Sequence, residues 1–186
     1  MKKLFVLSVI LSAALLNATT NKELKAEAKA AIKNMGQTLQ AEMKKNMKSG
    51  GALKAAQFCS KEATNIEKDI NSKYKKGVTV KRVSLKYRNP ENAPTDDEAM
   101  VLKQMQRKLK DHKNKPSMKV MKIADNYYKV YKPIFVNKKV CLKCHGDSKH
   151  RDQKAYKEIK KAYPHDKAKG YKIGDFRGAF VVEIKK

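Results

Sequence analysis

The residues of this 186-residue chain best suited to redox or metal chemistry are three cysteines and four histidines. Two of the cysteines and one histidine fall together in Cys141-Leu142-Lys143-Cys144-His145, a C-x-x-C-H arrangement. The spacing suits covalent attachment of haem. Two thiols three positions apart reach the two vinyl groups on one porphyrin edge and form thioethers, and the adjacent imidazole is then held beneath the ring to ligate iron. Three other chemistries use the same residues. A thioredoxin-like pair needs a βαβ setting with its first Cys at a helix N-terminus. A zinc site would draw on Cys141, Cys144, His145 and either His150 or His165. A structural disulfide needs only an oxidising compartment. The adjacent His, the odd cysteine count and an export signal at the N-terminus favour one covalent haem c.

An iron held by His145 has a second axial position. No Met follows His145, so a downstream thioether is excluded, and His150 is too near in sequence to reach round the ring easily. His165 remains downstream; upstream stand His112, several Met residues and Cys59. Cys59 lies among Ala55, Ala56 and Ala63, small residues that leave room for a flat macrocycle. Taken on its residues alone, Cys59 reads as a buried free thiol, since Cys is among the most buried residue types.

The elements that must position these groups follow from periodicity. Leu24, Ala28, Ala31/Ile32, Met35, Leu39, Met43 and Met47 have helical spacing, closed by Ser49-Gly50-Gly51. A second helix carries Ala52, Ala55/Ala56, Cys59, Ala63, Ile66 and Ile70, so two N-terminal helices are expected over 21–71. Val78 and Val80 alternate as a strand, and a phase slip at Lys81-Arg82 toward Val83, Leu85 and Tyr87 predicts a bulge. Arg88 to Pro94 is loop chemistry. Thr95-Asp96-Asp97-Glu98 is a capping box opening a third helix, which Pro116 bars from extending. Met118–Ala124 and Tyr127–Val136 read as two strands, with Pro133 predicting an edge position or a bulge. A short helix over Arg151–Tyr163 stops at Pro164. Phe176, Gly178, Phe180, Val182 and Ile184 alternate as a closing strand. The order ααβ-α-ββ-α-β predicts an α+β fold, with helices packed on a small antiparallel sheet.

Met1-Lys2-Lys3, the apolar run Leu4–Leu16 and Ala18 match a secretory signal peptide over 1–18, with one domain over 19–186. The run is shorter than the roughly 20 residues of a bilayer span. A periplasmic or otherwise exported protein without a stable membrane span is therefore expected. Lys+Arg 44 against Asp+Glu 18 gives +26, yet only five of the basic residues are Arg. Bidentate phosphate and base readout favours Arg, so a lysine coat is expected rather than nucleic-acid binding. That coat eases approach of an acidic partner. No paired-carboxylate signature, nucleophile elbow or P-loop is present, so no enzyme activity is expected.

Four segments resemble the Tll0287-like family of c-type haem domains. They are Ala55-Ala56-Gln57-Phe58-Cys59; Lys81 to Pro94, including Arg88-Asn89-Pro90-Glu91-Asn92-Ala93-Pro94; Pro133-Ile134 through Cys141-Leu142-Lys143-Cys144-His145-Gly146; and Tyr163 to Tyr171 with Gly174 to Ala179. The resemblance spans nearly the whole mature chain and implies a PAS-like fold over 78–186. It also implies that Cys59 is the distal haem ligand opposite His145. His165 falls at a position the family does not reserve for His, and Arg82, Arg88 and Arg177 match positions with propionate or loop-fixing roles. The functions implied are redox or gas sensing through a separate signalling partner, with a small gas as possible ligand, or electron carriage between redox partners.

Overall fold

The computed structural model describes residues 19–112 and 115–186, and the expected signal segment 1–18 lies outside the described residues. The chain opens with α1 (Asn21–Ser72), started by a reciprocal cap in which Glu23 N donates to Thr20 Oγ1 (3.3 Å) and Thr20 N donates to Glu23 Oε2 (2.8 Å). The two expected helices are its two arms. They meet at Gly50-Gly51, where Gly51 has φ +64°, a left-handed value that only glycine adopts without strain.

Four antiparallel strands form one sheet in the order β1-β4-β3-β2, with β1 Val78–Val83, β2 Lys119–Ala124, β3 Tyr127–Phe135 and β4 Phe176–Lys185. One sheet face buries Val78, Val80, Val130, Val182 and Ile184 against Leu24, Ala28, Ile32 and Met35 of the first α1 arm. The other packs Val83, Tyr131, Ala179 and Val181 on Val101, Leu102 and Met105 of α2 (Asp96–His112). The architecture is α+β, as the element order predicts.

Two local expectations are corrected by the two covered faces. β1 pairs with β4 without interruption from Val78↔Ile184 to Val83↔Ala179, so no bulge exists at Lys81-Arg82. The phase slip arises because Val83 faces α2 while Val78 and Val80 face α1. Within β4, Phe176 joins the α2 face although Phe180, Val182 and Ile184 face α1, because the β3–β4 register shifts beside Gly178. Pro133 sits in an interior strand, but β2 pairs only as far as Tyr131, so Pro133 has a neighbour on one side alone. The register shift between Ile134 and Phe135 supplies the alternative that Pro133 predicted. A seven-residue helix, α3 (Lys139–His145), was not expected; α4 (Gln153–Ala162) was, and Asp152 caps it by accepting from Ala155 N at 2.9 Å.

α2 is fixed to the sheet by charge. Only half of the expected capping box forms, Thr95 N donating to Glu98 Oε2 at 3.1 Å, while the Thr95 hydroxyl bonds Asp97. The Glu98 carboxylate is fully buried, with Lys81 Nζ at 2.9 Å and Lys129 Nζ at 3.3 Å. Burial alone would raise its pKa, but Lys81, the Thr95 N–H and Lys129 outweigh that and hold it below the ordinary glutamate value of 4.5. A depressed folded-state pKa gives stability that is complete above 4.5 and lost as pH falls through the depressed value. Glu98→Gln should cost about 3 kcal/mol at neutral pH and flatten that acid dependence in urea melts. An unchanged acid limb would show that Glu98 does not govern it.

Candidate functional site

α3 carries Cys141, Cys144 and His145 and is ended by Gly146, whose N–H donates to Leu142 O at 2.9 Å. Space, not backbone angle, requires glycine here. A Cβ at 146 would stand 2.8 Å from Leu142 O and 2.9 Å from the His150 Cβ. The segment after α4 runs along this exit, with Gly170 N donating to Gly146 O and Tyr171 N to His145 O, both at 2.9 Å. It delivers the Ala168 carbonyl to within 2.8 Å of His145 Nδ1. A carbonyl only accepts, so Nδ1 carries the proton and Nε2 keeps a lone pair for a metal. The Tyr171 ring stands edge-on to the imidazole at 6.2 Å.

Arg88 braces the same point. Its Nη2 donates to Cys144 O at 2.7 Å and lies 3.4 Å from His145 Nδ1. Its Nε is 3.3 Å from Oδ1 of Asp166, a fully buried carboxylate that also accepts the Ala168 N–H at 2.8 Å. Burial, then the nearby Arg177 and Arg88 cations, hold the His145 pKa well below 6.5 despite the Ala168 bond. His145 is therefore a neutral imidazole at pH 7, the form that ligates metals.

Both arms of α1, the end of β1, α3 and the start of β4 enclose a cavity of about 380 Å³. Cys59, Cys141, Cys144 and His145 all line it, so one space brings together the four site residues singled out from the sequence. Ala55, Ala56 and Ala63 line it beside Cys59, and Leu39, Met43 and Met47 come from the first α1 arm. All three cysteines are free thiols. Burial pushes the Cys59 thiol up, with Arg82 and Arg88 pulling the other way, and burial likewise raises Cys144. His150 and His165 are exposed and do not line the cavity; His150 Nδ1 lies 2.7 Å from Asp147 Oδ1. Among the described residues no three His, Cys, Asp or Glu side chains form a metal cage. No described helix is long and apolar enough to cross a membrane.

The Arg88–Pro94 loop holds one cavity wall. Asn89 Nδ2 donates to Thr64 Oγ1 at 3.1 Å, joining the loop to α1, and Ser84 N donates to Asn92 O at 3.1 Å. The family model for Tll0287 matches residues 17–185. The chain belongs to the Tll0287-like family. Among solved structures it is similar to the crystal structure of the cyanobacterial heme-protein Tll0287, with a TM-score of 0.64 and 26% identity over 90% of this chain and 98% of that one. No curated protein matches the chain.

The residues of this Tll0287-like chain fit a covalently held haem. Two thiols three positions apart, an imidazole with its outer nitrogen already bonded, and a third sulfur from Cys59 face one largely apolar space. Sequence reasoning missed the Ala168 carbonyl, Tyr171 and Asp166 beneath the imidazole. The resemblance pointed to Arg88 with a propionate or loop-fixing role, not as the brace beside Cys144 O and His145 Nδ1. The backbone acceptor at Ala168 has no side-chain signature at all.

Proposed function

We propose that the chain is an exported monohaem c-type protein, joined to haem through Cys141 and Cys144, with His145 and Cys59 as axial ligands. The observation that carries this is the shared cavity, in which Cys59 meets the C-x-x-C-H group whose His145 Nδ1 is already bonded to Ala168 O. Bound haem supplies a one-electron ferric/ferrous couple. Ala168 and Arg88 orient the imidazole, and the apolar wall from Leu39, Met43 and Ala56 limits water.

The proposed role is redox or gas sensing, for a reason that lies in Cys59. Its raised pKa makes it a neutral, poorly ligating thiol whenever the ferric charge does not hold it as thiolate. It rides on the α1 arm beyond the Gly50-Gly51 break, flanked by Ala55, Ala56 and Ala63, so few bulky side chains clamp it. Electron carriage is the second reading, favoured by the +26 charge that would steer an acidic redox partner. In either role a separate protein receives the electron or the signal.

One set of spectra tests the proposal. Haem should stay on the polypeptide in acid acetone, and Cys141→Ala/Cys144→Ala should release it. Ferrous protein should bind CO or NO while ferric protein resists added ligands. Colourless protein with stoichiometric zinc would overturn the haem assignment. A six-coordinate ferrous form that ignores both gases would replace sensing with electron carriage.

A further inference from the structure

We propose that Tyr163 is a positioning residue for Cys59: its hydroxyl pins the α1 arm beside the thiol and so sets how firmly the position opposite His145 is held. The proposal rests on the haem reading above. Ala55, Ala56 and Ala63 give Cys59 no bulky neighbour to lock it, so its arm must be fixed from outside. Hydrogen bonds and an ion pair tie that arm to the rest of the fold at residues 60, 64, 67 and 71, a spacing that puts all four on one helix face. Asn71 Nδ2 donates to Val80 O at 2.8 Å while its Oδ1 accepts Val80 N at 2.7 Å. Glu67 Oε2 lies 3.4 Å from Arg82 Nε, and Thr64 Oγ1 accepts from Asn89 Nδ2 at 3.1 Å. The fourth tie is the nearest of these to the thiol. The Tyr163 hydroxyl donates at 3.3 Å to the carbonyl of Ser60, the residue next to Cys59.

Tyr163 is itself well fixed. Its N–H donates to Ile159 O at 2.8 Å and its carbonyl accepts Asp166 N at 3.1 Å, while Pro164 bars α4 from continuing. Its side chain packs with Ala52, Ala56, Ala155 and Ile159, where α1 meets α4, and lines the cavity together with Cys59 and Ser60. A donor anchored in this way can hold a helix that has little packing of its own. Were the bond lost, the next tie along that face, at Thr64, would be more than a helical turn from Cys59.

The same residue reaches the other axial position. Tyr163 stands at the root of the segment that brings Asp166 and the Ala168 carbonyl beneath His145. Its main chain belongs to the support of the imidazole, and its hydroxyl belongs to the support of the thiol. Removing the hydroxyl alone therefore loosens Cys59 and leaves the bonds around His145 in place.

The test is a competition in the full-length, haem-loaded protein. Ferric protein is titrated with cyanide and followed at the Soret band. Cyanide must displace Cys59, so its affinity reads how firmly the thiol is held. Tyr163→Phe keeps the ring and the main-chain bonds and should bind cyanide about threefold more tightly, the lower part of the worth of a neutral hydrogen bond, because 3.3 Å is long for a hydroxyl donor. Tyr163→Leu, which also lacks the hydroxyl, should gain in the same direction. Cys59→Ala has no thiol to hold, so adding Tyr163→Phe to it should change cyanide affinity no further. Equal affinity of the parent and Tyr163→Phe would overturn the proposal. So would the same gain in the Cys59→Ala background, which would make Tyr163 a general packing residue. If Cys59→Ala by itself leaves the ferric spectrum and cyanide affinity unchanged, the axial assignment and this proposal fall together.

Discussion

Replacing Cys59 by Ala should raise the reduction potential of the haem-loaded protein by about 0.1 V or more, a fraction of the roughly 0.8 V over which axial ligands move haem. A thiolate donates negative charge and favours ferric iron, so its loss favours the ferrous state. The ferric Soret and charge-transfer bands should shift with it. The effect should be large because Cys59 lines the cavity among small side chains that offer no substitute donor: Ala55, Ala56 and Ala63 carry only methyl groups. Cys59→Met, a neutral sulfur of larger size, should also raise the potential. If spectrum and potential stay where they were, Cys59 is a packing residue and the ligand opposite His145 must be sought among Met43 and Met47, which line the same space.

The largest loss of stability should come from Asp166→Ala. The Asp166 side chain is fully buried, faces Arg88 at 3.3 Å and accepts the Ala168 N–H. Its removal strands a guanidinium that is itself mostly buried and loosens the carbonyl that orients His145. Breaking a buried pair from one side costs about 3–5 kcal/mol, a large share of the roughly 5–15 kcal/mol that holds a domain folded. Replacing both partners, Arg88→Met with Asp166→Ala, should recover part of the loss, since an apolar pair leaves no orphan charge. Denaturant titrations decide the matter: a single variant within about 0.5 kcal/mol of the parent would place the pair outside the stability of the fold.

Periodicity alone located most of the scaffold. The first α1 arm shows its buried stripe openly because Leu24, Ala28, Ile32 and Met35 recur at helical spacing against one flat partner, the sheet. The strands were read less well where both faces are covered, since alternation then stops distinguishing inside from outside: Val83 and Phe176 are buried on the face opposite their neighbours. α3 escaped notice because seven residues with two aliphatic side chains carry no period, and Lys138 offers no side-chain cap. The C-x-x-C-H group was legible from spacing, whereas Cys59 looked like any buried thiol until the family resemblance singled it out. Met43 and Met47 sit in the apolar stripe of the first arm and read as core; the structure places them on the cavity wall. What surrounds His145 was invisible in the sequence. A carbonyl at 168, a ring at 171 and a carboxylate at 166 meet the imidazole only because the chain doubles back beside α3.

The strand order β1-β4-β3-β2 puts the strand latest in sequence between two earlier ones. The hairpin of β2 and β3 can close on its own, but β1 has no partner until β4 arrives. A chain that emerges N-terminus first therefore presents Cys59, Cys141, Cys144 and His145 before β4 has joined β1 to the sheet. Only afterwards do Arg177, Gly178 and Phe180 come up to finish the cavity wall. Any group joined to the two thiols in that interval is wrapped by the closing strand rather than admitted through a doorway. Its release would require drawing out a strand paired along both edges.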